Sequence, residues 1–245
     1  MEKISSEVSK WPNSNQTLSF LALRQLIGWM GILLPWVLIF GTLLSTKCTE
    51  VQPSISHYYY SKLHVVFVGT LCLLSGFLFT YKGTTAGNFE RWVSRLAALF
   101  ALCVTFFPTN FKGFEESCRY IQLVPIDLES SGAIKYIHFG CAAAMFVCFD
   151  IFCFYIFQMP DNKNEKRPYS LKKRRRNTFY FACGCIIVIS KIMIAVFMKS
   201  KGTWFFDHST LIFETTALSA FGASWLLKGT VNWENFKRSP IRFFR

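Results

Sequence analysis

Charged side chains inside apolar runs are the residues that could do chemistry in this chain, since each costs on the order of 2.5 to 3.5 kcal/mol to place in a bilayer and needs a partner or a watery cavity. Lys191, Glu214 and Asp150 are such residues. Lys191 lies about 14 residues into one apolar run and Glu214 about seven into the next from the opposite membrane face, so at ~1.5 Å per residue antiparallel neighbours place them at similar depth. A buried Lys191–Glu214 ion pair is therefore expected. It is either purely structural, or Glu214 binds or transfers a proton or polar ligand while Lys191 tunes its charge. Asp150 lies near the end of its run, where solvation alone accounts for it.

The histidines form a second pattern. His57, His64, His138 and His208 all fall on or just inside one face of the expected bundle, where they could converge above Glu214. Three neutral imidazoles, His57, His138 and His208, with an open fourth position would suit zinc, and Glu214 would then serve as general base toward the activated water. No His-x-x-x-His pair supports that set, and interfacial histidines bonded to loop carbonyls are commoner, as are interfacial tyrosines such as Tyr58, Tyr59 and Tyr60. No cofactor is expected, zinc being the alternative. Phosphate-cradling glycine loops, zincin motifs and Gly-x-Ser-x-Gly elbows are absent from the sequence.

The elements that must position these residues are apolar helices. Of 245 residues 52% are apolar and 27 are Phe, and six windows reach the length needed to cross a hydrocarbon core of about 30 Å. They are residues 24–46, 63–81, 92–108, 133–158, 178–198 and 208–227, within a transmembrane domain of residues 24–228 flanked by an amino-terminal segment 1–23 and a basic tail 229–245. Lipid cannot satisfy an open backbone, so the expected fold is all-α, a polytopic six-span bundle. Barrel strands would be about ten residues long and alternating, which these runs are not.

Orientation follows from Lys and Arg. Eight basic residues lie between Met159 and Arg176, ending in Lys172 to Arg176, which puts that loop and both termini in the cytoplasm. The inner segments then carry 18 basic residues and the outer loops six, while the loop from Thr109 to Ile134 holds Glu115, Glu116, Asp127 and Glu129. The net charge of +13 thus gathers on one face, which argues against nucleic acid as a partner. The basic run reads as a topology signal; docking of anionic lipid headgroups is the alternative. The first run is too long and too far from the start for a cleaved signal, and Asn15-Gln16-Thr17, though a glycosylation sequon, lies on the inner side.

Seven of the nine cysteines fall within spans and read as packing residues, while Cys48 and Cys118 lie in outer loops where a disulfide could join them. In the last span Ala217, Ser219, Ala220, Gly222, Ala223 and Ser224 permit close helix approach, making that helix a central element.

Ser54-Ile55-Ser56-His57-Tyr58-Tyr59, Val66-Phe67-Val68-Gly69, the run Leu96 to Leu102, Phe107-Pro108-Thr109, His138-Phe139, and Glu214 with Ala220 to Gly229 together resemble an uncharacterised family of bacterial multi-pass membrane proteins. The resemblance implies a bacterial inner-membrane setting and assigns no reaction. More distantly, the membrane-edge Ser, His and acidic residues are similar to the ceramidase and adiponectin-receptor-like membrane hydrolases, which differ in having seven spans and a paired-His motif.

Three functions remain open from the residues. The first is binding, sensing or moving a lipid or small amphiphile in an outward-facing cavity with Glu214 and Lys191 as its polar floor and His57, His138 and His208 around it. The second is a metal-dependent intramembrane hydrolase of a lipid amide or ester. The third is a scaffold that packs against another membrane protein or a second copy of itself.

Overall fold

The computed structural model describes residues 14–45, 50–81, 83, 87–109, 132–160, 169–201 and 203–236. The described residues form helices and no strand: α1 (Ser14–Ser45), a 3-10 helix (Ile55–Tyr60), α2 (His64–Thr80), α3 (Asn88–Phe106), α4 (Gly132–Ile151) running into a π turn (Phe152–Ile156), α5 (Leu171–Phe197), the short α6 (Trp204–Asp207) and α7 (Ser209–Phe236). Four stretches, Ala22–Leu44, Ile134–Ile156, Leu171–Phe197 and Ser209–Thr230, are long and apolar enough to cross a membrane, and His64–Thr80 is a shorter apolar helix. The Cys48–Cys118 pairing and the acidic residues of the third loop lie outside the described residues.

Several helices outrun their apolar windows. α1 begins at Ser14 rather than near residue 24, α5 at Leu171 rather than near 178, and α7 continues to Phe236. Apolarity marks the length needed to cross a bilayer, whereas backbone hydrogen bonding continues until a cap or breaker ends it. The basic run is thus helical. Ser170 caps it by accepting from the Lys173 N–H at 3.3 Å.

The six long helices close a ring in which α1 packs on α2, α2 on α3, α3 on α4, α4 on α5, and α7 on both α5 and α1, the α1–α7 contact being the most extensive. Glycines make that contact close: a Cβ on Gly28 would stand 2.5 Å from the Leu226 Cγ, one on Gly31 3.1 Å from the Gly222 Cα, and one on Gly222 would run into the Gly28 carbonyl. Small residues let membrane helices approach to backbone contact, which replaces the hydrophobic drive that lipid does not supply.

Aromatic rings fill the ring of helices. Trp225 is fully buried and meets Phe77 of α2 and Tyr81 just beyond it, Phe152 of the π turn and Phe157 just beyond that, and Phe221 one turn away. Phe149 stacks on Phe221 with ring centroids 3.6 Å apart. The expected central role of the last helix therefore rests on Trp225 and Phe221 as well as on its small residues. Isoleucine at Gly222 should lower stability by about 3 kcal/mol or abolish folding, since overpacking here meets backbone. Gly69→Ala, where nothing lies within 4 Å of the added carbon, should leave thermal unfolding in detergent near wild type.

Candidate functional site

Residues 51–61 form a cap over one end of the ring, stapled to it by side chains. The Ile55 N–H donates to the Glu214 Oε2 at 2.7 Å, and the Leu211 N–H donates to the Pro53 carbonyl at 3.0 Å. His208 Nε2 lies 3.0 Å from the Val51 carbonyl, His138 Nδ1 2.7 Å from the Phe107 carbonyl, and His64 Nδ1 2.6 Å from the Tyr59 carbonyl. A carbonyl only accepts, so each of these nitrogens carries its proton. In neutral His138 the other nitrogen, Nε2, then accepts from the Ser56 hydroxyl at 3.1 Å. Tyr60 donates to the Thr109 carbonyl at 2.5 Å, and Ser54 Oγ sits 2.5 Å from His57 Nδ1.

The histidines are thus gathered on one face, as expected, but each is turned to its own partner. His138 spends both nitrogens, and among the described residues no group of three or more His, Cys, Asp or Glu is disposed to hold a metal. Among the described residues His57, His138 and His208 form no such group. Ser56, His138 and the Phe107 carbonyl do follow the order of nucleophile, base and orienter. The neighbouring Ile55 N–H, a donor an oxyanion would need, is already taken by Glu214.

Lys191 does not reach Glu214. It pairs with the Asp150 carboxylate on α4 through Oδ2. Phe197 of α5 stacks on Phe213 of α7, which sets Glu214 roughly five residues, or about 8 Å, nearer the cap end than Lys191. Helical side chains also lean toward their own N-terminus, carrying the lysine stem away from Glu214. Phe157 meets Tyr180, and the Phe154 ring packs so closely on Gly184 that a Cβ there would stand 2.7 Å away. That register sets Asp150 about one turn below Lys191, within reach of its stem. The expectation failed because the two depths were measured from apolar-window ends that do not share one plane.

Asp150 is 8% exposed and sits on the floor of a groove of about 420 Å³ lined by Phe89 at the start of α3, by Val147 and Ile151 of α4 and by Phe154 and Tyr155 of the π turn. The α4 residues occupy one helix face at spacings of three and four. The π turn continues that face: the Phe157 N–H bonds to the Phe152 carbonyl at 2.8 Å, and the Gln158 side-chain amide takes the Cys153 carbonyl at 3.0 Å. Val147 and Tyr155 are exposed at the rim, and Phe89 meets Tyr155 edge-on at 5.7 Å.

A second polar layer, absent from the sequence reading, lies at the opposite, basic end. The Arg24 guanidinium donates to the Tyr81 hydroxyl at 2.7 Å, which donates to the Glu90 carboxylate at 2.9 Å. All three are buried. Gly83, with φ at 72°, brings backbone so close that a Cβ would lie 2.5 Å from Glu90 Oε2. Buried Lys173 donates to the Met159 carbonyl at 2.5 Å. Neither Arg24 nor Glu90 stands out in the sequence, because each lies at the edge of an apolar run.

Lys191→Met should destabilise by about 3 kcal/mol because it strands a buried carboxylate, while the Asp150→Asn, Lys191→Met double variant should recover most of that loss in detergent unfolding. At the cap, burial pushes the Tyr58 hydroxyl up to about 12, against a small opposing pull from the Gln52 N–H. A folded value above the unfolded one means stability is full below about pH 10 and lost as pH rises through about 12. Protection of the amides of residues 51–61, taken relative to their intrinsic exchange rate at each pH, should accordingly fall above about pH 10 in the wild type and less in Tyr58→Phe.

Comparison of the chain with protein-family models, curated proteins and solved structures finds no match, so its function rests on the geometry of these residues.

Proposed function

We propose that the protein binds, senses or moves a lipid or small amphiphile, and that the groove beside Asp150 is where it does so. The observation that carries this reading is an open apolar groove with a buried carboxylate at its floor, on a helix long and apolar enough to cross a membrane. Its volume falls in the range of about 300 to 1,000 Å³ usual for small-molecule sites. The apolar lining suits a chain and the carboxylate suits a polar head. Glu214 and the histidines serve in this reading as the staples of the cap.

The bundle is read as six spans with both termini in the cytoplasm, in a bacterial inner membrane. Supporting that reading, α2 and α3 pack as a hairpin inside the same ring as the longer helices, and the charges of α3, Glu90, Arg91 and Arg95, sit in its first two turns at the basic end. The basic run of α5 is at that end as well, with Lys172, Arg174 and Arg175 exposed.

A photoreactive alkyl probe added to the purified full-length protein in nanodiscs should label the segment 147–155 above all other bilayer-facing surfaces. Val147→Trp, at an exposed rim position, should cut that labelling at least several-fold with thermal unfolding unchanged. Uniform labelling of all lipid-facing helices, indifferent to Val147→Trp, would refute the groove.

A further inference from the structure

Resting on the reading that the groove holds an amphiphile, we infer that its preferred ligand carries a neutral hydrogen-bond donor, a hydroxyl or amide N–H, at the head of a single apolar chain. Such a head is selected over an ammonium and over a head that only accepts. The argument begins with the carboxylate. An ionised Asp offers about four acceptor positions. Here Lys191 takes one on Oδ2, and Oδ1 is buried with no hydrogen-bond partner. An acceptor left unmet in low dielectric is costly, so a donor brought in by a ligand is worth more than it would be in water.

Charge decides which donor. Lys191 already neutralises Asp150, and the other lining side chains, Phe89, Val147, Ile151, Phe154 and Tyr155, carry no charge at neutral pH. An ammonium head would add a net positive charge beside Lys191 in a medium that screens poorly, and an anionic head would face the carboxylate. The charges next to Phe89 have partners elsewhere, Glu90 with Tyr81 and Arg91 with Asn88. A neutral donor meets the open acceptor without unbalancing the pair. Oδ1 lies behind protein atoms and a two-fold turn only exchanges the oxygens, so a donor is met by a partial turn of the broad terminal torsion, which Lys191, its side chain 24% exposed on a flexible stem, can follow without moving α4.

The test uses three probes of one chain length, tetradecan-1-ol, its methyl ether and tetradecylammonium, as competitors of the photoreactive alkyl label on the full-length protein in nanodiscs. The alcohol should compete at a concentration about tenfold or more below either of the others, as one hydrogen bond to a charged acceptor provides. Lys191→Met should invert the order and make the ammonium best, and the Asp150→Asn, Lys191→Met double variant, which keeps an amide oxygen in place, should restore preference for the alcohol. An ether equal to the alcohol, or an ammonium preferred by the wild type, overturns the inference while leaving the groove occupied. Failure of all three to compete overturns the groove itself.

Discussion

The hydrocarbon core of a bilayer donates and accepts no hydrogen bonds, and that constraint organises this molecule more than any single contact. A polar group carried into the apolar bundle has only protein to partner it, and where protein offers none, as at Asp150 Oδ1, it stays open. The outcome is three separate polar layers. The cap uses Glu214, His138 and His208 to hold backbone groups, the middle pairs Lys191 with Asp150, and the basic end chains Arg24 through Tyr81 to Glu90. Two of these layers use charge to satisfy charge. The cap uses side-chain hydrogen bonds to hold loop backbone that would otherwise lack partners.

Between the layers the bundle is held by shape. The crossing of α1 and α7 at Gly28, Gly31 and Gly222 leaves no room for a side chain, and the rings around Trp225 fill the interior at the level of α2, α4 and α7. With its centre packed, the bundle offers space at its flank, in the groove lined by Phe89 of α3 and by Val147 to Tyr155 along α4 and its π turn. The π turn of α4 belongs to the same arrangement, since such turns commonly mark functional places in helices. Asp150 is therefore the point where the packed interior and the groove meet.

Much of the architecture was legible in the sequence, because helix length and apolarity are local properties. The helical class, the close approach at Gly222 and the gathering of His57, His64, His138 and His208 at one end follow from runs and their order. What was not legible depends on register between helices. Lys191 and Glu214 look level when counted from apolar boundaries, yet the stacking of Phe197 on Phe213 sets them apart, and the packing of Phe154 on Gly184 delivers Asp150 instead. Asp150 was assigned to solvent because it stands near a run's end; the register of α4 on α5 delivers it to Lys191 instead. Glu90 and Arg24 were hidden for the same reason, as charges at the edges of windows whose burial only the neighbouring helix reveals.

Which carboxylate holds Lys191 decides between the groove and an outer polar floor. Solid-state NMR on the protein in lipid bilayers, with nitrogen-15 at the lysine Nζ and carbon-13 at the Asp and Glu carboxyls, reads that contact directly. Strong dipolar coupling of Lys191 Nζ to the Asp150 carboxyl, corresponding to a separation of about 4 Å or less, and none to Glu214, is the result this account predicts. Coupling of Lys191 to Glu214, with Asp150 uncoupled, would contradict it.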